Sequence, residues 1–149
     1  MTTIWHPKNS VSLDKINKLN QNTAIGYLDI KITHIGDDFI QGTMPVNQKT
    51  IQPQGLLHGG ASLTLAESLA SLGAALCVDM SKYNIVGHGI NANHVRSATE
   101  GMVTGIAKPV YLGGKTQVWE IKIYKSETEF VDESLCCVSR MTALRMTRR

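Results

Sequence analysis

The sequence has few cysteines and no long, uninterrupted apolar run. Its three cysteines, Cys77, Cys136 and Cys137, are odd in number and lack the two-residue spacing of zinc clamps, so we expect neither a disulfide framework nor a metal site. Residues 1–7 do not resemble a signal peptide, and the most apolar stretch is interrupted by Glu67 and several hydroxyl groups. We therefore expect a soluble, cytoplasmic protein with no membrane span.

Charged and aromatic residues are also scarce, at 18% and 5% of the chain. A surface with so little charge is expected to be partly covered by partner subunits, which predicts an oligomer. The formal net charge is +3, yet the basic residues are scattered singly, except for Arg145, Arg148 and Arg149. Without a basic stripe that carries interleaved aromatics, nucleic-acid binding has little support, whereas a mild positive bias suits an anionic small ligand.

The length of 149 residues predicts one domain over residues 1–149, with a loose N-terminal arm over 1–10 and a basic tail over 146–149. Hydrophobic periodicity and turn residues predict a short helix from Ser12, two strands, a long helix from near Gly59 and four more strands. Such a helix needs a sheet face to cover its apolar sides. The predicted fold is α+β, with a curved antiparallel sheet of about six strands around one long central helix.

The long helix carries a single ionisable group, Glu67, within a narrow stripe of small polar residues. Gly60, Thr64, Ser68 and Ser71 share this stripe, and it contains no Lys or Arg. A Glu on a helix most often faces water. Small neighbours nevertheless leave room for a ligand, so Glu67 is a candidate catalytic carboxylate, and we expect it to lie in a poorly solvated setting.

Three sets of residues carry a resemblance to a known family: Gln52-x-x-Gly55-x-x-His58-Gly59-Gly60 followed by Glu67, then Asn91-x-Asn93-His94-x-Arg96, and Gln117-Val118-Trp119. This pattern resembles the hotdog-fold acyl-CoA thioesterases over roughly residues 11–145. It is most similar to the branch that contains the phenylacetate-pathway, enterobactin-proofreading and 1,4-dihydroxy-2-naphthoyl-CoA thioesterases. The resemblance implies hydrolysis of an acyl-CoA thioester, with aromatic or other bulky acyl groups favoured. CoA is then part of the substrate, and no separate cofactor is expected.

The resemblance also implies roles for individual residues. The Gly59 amide would donate to the oxyanion, which agrees with the positive end of a helix starting at glycines. Glu67 would attack the carbonyl carbon or activate water for that attack. Gln52 and His58 would position water, the acyl group or the thioester. Gly60 and Ser71 would contact the substrate, and His94 and Arg96 would lie near the nucleotide and phosphates of CoA.

The spacing of Gly59 and Glu67 predicts an assembly. Eight residues of helix separate them by a rise of about 12 Å, so one carbonyl does not reach both groups of one chain. We therefore expect a homodimer with shared sites, and the resemblance implies pairing of dimers into a homotetramer.

Several alternatives stay open at the level of sequence. Thioesters of acyl carrier protein bear the same phosphopantetheine arm as CoA. A hotdog hydratase or dehydratase would share the fold, and so would a non-catalytic acyl-CoA-binding domain. A shared metal ion is not expected, because His88 and His94 are about 20 Å apart along an extended strand.

Overall fold

The computed structural model describes residues 2–149. Helix α1 (Leu13–Asn20) and the short helix α2 (Ala24–Tyr27) precede strands β1 (Lys31–Ile35) and β2 (Ile40–Pro45). Helix α3 (Gly59–Leu76) is followed by β3 (Tyr83–His94), β4 (Met102–Leu112), β5 (Thr116–Tyr124) and β6 (Leu135–Thr147). The strands form one antiparallel sheet in the order β1-β2-β4-β5-β6-β3, and α3 packs on one face of it. The predicted six-stranded fold around one long helix is confirmed.

Helix α3 lies close to the sheet because glycines leave room for its leucines. A Cβ added at Gly105 of β4 would come 2.7 Å from a methyl carbon of Leu69, and one added at Gly73 of α3 would come 2.6 Å from the Trp119 ring. Leu65, Leu69 and Trp119 are fully buried as a result. The opposite stripe of α3, at Gly60 and Glu67, is exposed. The helix is thus buried on the sheet side only.

The two ends of α3 are capped by side chains. At its C-terminus, Nε2 of Gln117 donates to the Ala74 carbonyl at 3.2 Å, and Oε1 of Gln117 accepts from Nε1 of Trp119 at 3.0 Å. At its N-terminus, Nδ1 of His58 accepts from the Gly60 N–H at 2.8 Å. Both caps satisfy backbone groups that a helix leaves without a partner. They fix the ends of α3 relative to the sheet.

The expected loose arm is wrong for residues 3–9. Trp5 is only 8% exposed, stacks on Trp119 with ring centroids 6.4 Å apart, and donates from Nε1 to the Gly36 carbonyl at 2.7 Å. Nδ2 of Asn9 donates to the carbonyls of Leu76 and Val78. A single tryptophan has no periodicity, so its burial leaves no pattern in the sequence. Met1 of the predicted arm lies outside the described residues.

Strand β3 departs from the expected alternation. The even-numbered residues from Val86 to His94 were expected on one side, but the pairing with β6 shifts between Gly87 and Gly89. His88 is the extra residue of this bulge, and Val86 is 44% exposed, whereas Ile85 and Ile90 pack against the core. A bulge inserts one residue and so exchanges the two faces of a strand. The final strand is also longer than predicted, since β6 includes Met146 and Thr147 of the expected tail.

Candidate active site

The first residues of α3 present a backbone donor to a cavity. Gly59 is the first helical residue, so its N–H has no acceptor inside the helix, while the Gly60 N–H is occupied by His58. The N-terminal end of a helix carries partial positive charge. The Gly59 N–H is therefore free to donate to a bound oxygen atom, whereas the Gly60 N–H is not.

Gly59 lines a cavity of about 340 Å³ between the loop before α3 and the segment after β3. Four of the predicted site residues meet here, namely Gln52, Gly59, His94 and Arg96. The other lining residues are Leu56, Leu57, Ser62, Val95, Ser97, Ala98 and Cys136. His58 and Gly60 are not among the lining residues of this cavity. We call it the glycine cavity.

His94 explains why residue 59 has no side chain. A Cβ added at Gly59 would lie 2.8 Å from Nε2 of His94, closer than carbon and nitrogen atoms approach without a shift. The imidazole thus rests against the backbone that carries the free N–H. His94 is placed there by the last residue pair of β3 and β6, in register with Cys137.

Gln52 and Arg96 each keep free donors in the glycine cavity. Oε1 of Gln52 accepts from the Gln54 N–H, and its Nε2 reaches only Oε1 of Gln54 at 3.5 Å. The second N–H of this amide can donate to a bound carbonyl or water. Nη1 of Arg96 donates to the Leu135 carbonyl at 3.0 Å, which leaves further guanidinium N–H groups for an anion.

Cys136 also lines the glycine cavity, although the sequence did not identify it as a site residue. Burial raises the pKa of the Cys136 thiol to about 11, and its Sγ lies 3.2 Å from the Ile123 carbonyl. The thiol is therefore neutral near pH 7, and only a thiolate is an effective nucleophile. Cys136 is therefore a poor candidate for a nucleophile.

Glu67 lies in a second cavity of about 380 Å³, on the exposed face of α3. Ser71, predicted to contact the acyl group, lines it as well, together with Asn20, Ile25, Ile32, Ser68 and Leu72. Oγ of Ser71 donates to Sδ of Met141 at 3.7 Å. We call this the glutamate cavity. Three of its side chains are aliphatic, so it offers an apolar wall beside the carboxylate.

The carboxylate of Glu67 is exposed in the single chain, so the expected poorly solvated setting is wrong for one subunit on its own. Its Oε1 lies against Gly87 of β3, at a place where any Cβ would collide with it. The glycines of β3 were predicted to mark a close approach, and Gly87 does so, whereas a Cβ at Gly89 would meet no atom within 4 Å. Across the described chain no Lys or Arg forms an ion pair with Glu67. The Glu67 carboxylate is thus carried by α3 without a cationic partner in residues 2–149.

One chain therefore separates the predicted site residues into two groups. The glycine cavity holds Gly59 with its free N–H, and the glutamate cavity holds the Glu67 carboxylate. In residues 2–149 no three His, Cys, Asp or Glu side chains are grouped so that they could hold a metal ion. Of the described helices, none is long and apolar enough to cross a membrane.

Comparison with known proteins finds thioesterases among the relatives of this chain. Residues 54–132 match the family model described as the thioesterase superfamily. The 1,4-dihydroxy-2-naphthoyl-CoA hydrolase of Escherichia coli is 48% identical over 93% of this chain and 96% of the relative. The proofreading thioesterase EntH of Cronobacter turicensis is 40% identical over the same shares of the two chains. The crystal structure of a thioesterase from Haemophilus influenzae superposes with a TM-score of 0.87 at 42% identity, covering 97% of this chain and 96% of that one.

Proposed function

Since the chain belongs to the thioesterase superfamily and is a thioester hydrolase of hotdog fold, we propose that it hydrolyses acyl-CoA thioesters to a free acid and CoA, with Glu67 and the Gly59 amide as its catalytic groups. The main support is the Gly59 N–H at the positive end of α3, open to a cavity, on the same helix as the single carboxylate Glu67. CoA enters as part of the substrate, and the reaction needs no separate cofactor.

The chemistry assigns one task to each group. The thioester oxygen accepts from the Gly59 N–H, which stabilises the negative charge that develops on it. The Glu67 carboxylate attacks the carbonyl carbon and forms an anhydride that water then opens, or it removes a proton from an attacking water. In both routes the carbon–sulfur bond breaks, the thiolate of CoA leaves and is protonated, and the acyl group ends as a carboxylate. Gln52 positions water or the acyl group.

His58 contributes to the site by its contact with the first turn of α3. Because its Nδ1 accepts from the Gly60 N–H, the proton of a neutral His58 imidazole lies on Nε2. This nitrogen is then a donor that can hold the thioester region. The same contact aligns the first turn of the helix, which orients the Gly59 N–H.

We propose that a working site takes Gly59 from one subunit and Glu67 from its partner. The two residues are about 12 Å apart along α3 and line different cavities, whereas a reacting carbonyl needs both groups within about 3 Å. Strand β3 supports pairing of two chains, since it is 12 residues long and lies at the edge of the sheet. A partner there would also cover Glu67, which the single chain leaves exposed. We expect a homodimer, and a dimer of dimers as the full assembly.

The glutamate cavity suits a bulky acyl group. Ile25, Ile32 and Leu72 provide its apolar wall, and its volume of about 380 Å³ falls within the range of small-molecule sites. The relative named 1,4-dihydroxy-2-naphthoyl-CoA hydrolase supports an aromatic acyl group in particular. Thioesters on an acyl carrier protein present the same arm and remain candidate substrates. A location in the cytoplasm stays a prediction.

A panel of acyl-CoA esters, assayed for release of free thiol, tests the proposed function. We expect aryl and other bulky acyl esters to be hydrolysed with a higher kcat/KM than short straight-chain esters. Hydration of an enoyl-CoA without thiol release would instead identify a hydratase. Binding of acyl-CoA without turnover of any ester would identify a non-catalytic binding domain.

Subunit mixing tests the shared site separately. Chains carrying Glu67→Gln and chains carrying Gly59→Val are each expected to be inactive, the second because its side chain blocks the oxyanion site against His94. After subunit exchange, each hybrid dimer holds one site with both native residues, so activity should return in part. Hybrids that form and stay inactive, or a fully active monomer, would contradict the shared site.

A further inference from the structure

Asn20 brings a side-chain amide into the glutamate cavity, where the other polar side chains have no free proton to donate. Both serine hydroxyls already donate within the protein, Ser68 to a backbone carbonyl of α3 at 2.6 Å and Ser71 to the sulfur of Met141 at 3.7 Å. The ionised carboxylate of Glu67 only accepts hydrogen bonds. The remaining side chains that line the cavity are aliphatic. Among the described residues, Asn20 thus supplies the free side-chain donors of this cavity.

The backbone of Asn20 is fixed, whereas its side chain is available to a ligand. The Asn20 carbonyl accepts from the N–H of Thr23 at 3.2 Å and from Oγ1 of Thr23 at 2.7 Å. These bonds fix the turn between α1 and α2. Within residues 2–149 the amide of Asn20 forms no hydrogen bond. Because an amide both donates and accepts, it can bind a hydroxyl group in either sense, or a carbonyl oxygen.

Asn17, one helical turn before Asn20, attaches α1 to the edge of the sheet. Its Nδ2 donates to the Ile32 carbonyl at 2.9 Å, and its Oδ1 accepts from the Ile32 N–H at 2.9 Å. Strand β1 is at the edge of the sheet, so Asn17 takes the place of a neighbouring strand for these two backbone groups. Residues three apart lie on one face of a helix. The two bonds therefore fix the face of α1 that also carries Asn20.

The glutamate cavity lies between two walls. Glu67, two serines and a leucine of α3 form one wall, and Asn20, Ile25 and Ile32 form the other. The second wall is joined to β1, because the Ile25 carbonyl accepts from the N–H of Ile30 at 3.0 Å and Ile32 belongs to the strand itself. An acyl group whose carbonyl lies at Glu67 extends between the two walls. A polar substituent on this acyl group can then reach the amide of Asn20.

We propose that Asn20 is a specificity-determining residue, whose amide binds a hydroxyl or carbonyl substituent on the acyl group, remote from the thioester. Asn17 is its positioning residue, since the bonds to Ile32 hold α1 against the cavity. This inference rests on the proposed function and adds one polar contact to the apolar wall described above. A half-buried amide that loses its ligand contact regains water, so the expected discrimination is that of a single neutral hydrogen bond.

The test compares pairs of aryl-CoA esters that carry either a hydroxyl or a methyl group at the same ring position, so that size is nearly constant. For the ring position that faces Asn20, the wild-type protein should hydrolyse the hydroxyl ester with a kcat/KM about tenfold above that of the methyl ester. Asn20→Leu keeps the approximate size of the side chain and removes its hydrogen bonds, so this preference should fall to about twofold or less. The matched control is Gln21→Leu. It removes an exposed amide that does not line the glutamate cavity, and the tenfold preference should remain.

The variant Asn17→Leu tests the positioning role. Without the bonds to Ile32, α1 is no longer held at the edge of β1, so the preference should fall to about threefold or less and the melting temperature should also fall. Trp5→Phe is the control for lost stability alone, because Trp5 stacks on Trp119 and does not line the cavity. It should lower the melting temperature and keep the preference. An unchanged preference in Asn17→Leu would refute its positioning role.

Direct binding separates this inference from the proposed function. If no ester is hydrolysed, the proposed function fails, and calorimetric titration of the same hydroxyl and methyl esters still decides whether Asn20 selects the acyl group. We expect a difference of about tenfold in Kd for the wild-type protein, and its loss in Asn20→Leu. Equal treatment of the two esters by the wild-type protein at every ring position would overturn the inference. An unchanged preference in Asn20→Leu, or an equal loss of preference in Gln21→Leu, would overturn it as well.

Discussion

Replacing Glu67 by glutamine should nearly abolish catalysis without changing the stability of the fold. The amide has nearly the same size as the carboxylate, so it fits over Gly87, and no ion pair of the described chain is lost. Because the side chain is exposed, we expect the free energy of unfolding to change by less than about 0.5 kcal/mol. The amide is neither a nucleophile nor a base, so kcat should fall by about 10² to 10⁴ while KM changes little.

The assay is thiol release from the best ester of the panel, with thermal unfolding of the same preparations. Glu120→Gln is the matched control, since Glu120 lies on the opposite, open face of the sheet beside Lys122 and Arg140. It should keep wild-type kcat. If Glu67→Gln keeps more than about a tenth of the wild-type kcat, another residue performs the chemistry and the assignment of Glu67 is refuted.

Three further changes test the surroundings of the site. Arg96→Ala should raise KM for the CoA ester more than it lowers kcat, because Arg96 lies at the cavity wall; an unchanged KM would remove it from the site. Trp5→Phe should lower the free energy of unfolding by about 1 to 2 kcal/mol in chemical denaturation, since the indole bond to the Gly36 carbonyl is lost; no change would mean that residues 3–9 do not stabilise the fold. Hydrogen bonds from Ser81 and Lys8 hold the pKa of Asp79 well below its usual range. The stability that this carboxylate contributes to the fold should therefore be fully present above about pH 4 and decline as the pH falls below that value. Asp79→Asn should lose this decline, as measured by melting temperature between pH 6 and 3.

The long elements could be predicted because their signals are local and repeated. The proline-free run of helix formers after Gly59 predicted α3, and the alternation in residues 116–124 predicted β5 within its observed bounds. The four-residue helix α2 was missed, because one turn is too short to show a period. The bulge at His88 was missed for a related reason: the even-numbered apolar residues of this strand give a regular alternation that the inserted residue breaks in the structure.

Only the cavity residues that belong to local sequence motifs could be predicted. The Gly-Gly pair and Glu67 drew attention to residues that line two cavities, and Gly87 was correctly expected to mark a close approach. Cys136 could not be identified as a cavity residue, because β6 brings it to Gly59 from far along the chain. The same holds for Asn20 and Ile25, whose position beside Glu67 depends on how α1 and α2 pack. Side chains that meet only through long-range packing leave no local pattern.

Three exposed features of the single chain lie on neighbouring elements. The edge of β3 is unpaired in the sheet, the carboxylate of Glu67 is exposed where it contacts that strand, and the glycine cavity opens at the strand's last residue, His94. An antiparallel partner strand along β3 would place the His94 end of one chain beside the Tyr83 end of the other, because antiparallel pairing reverses direction. Strand pairing and the shared catalytic site would then have one physical cause, the exposed edge of β3.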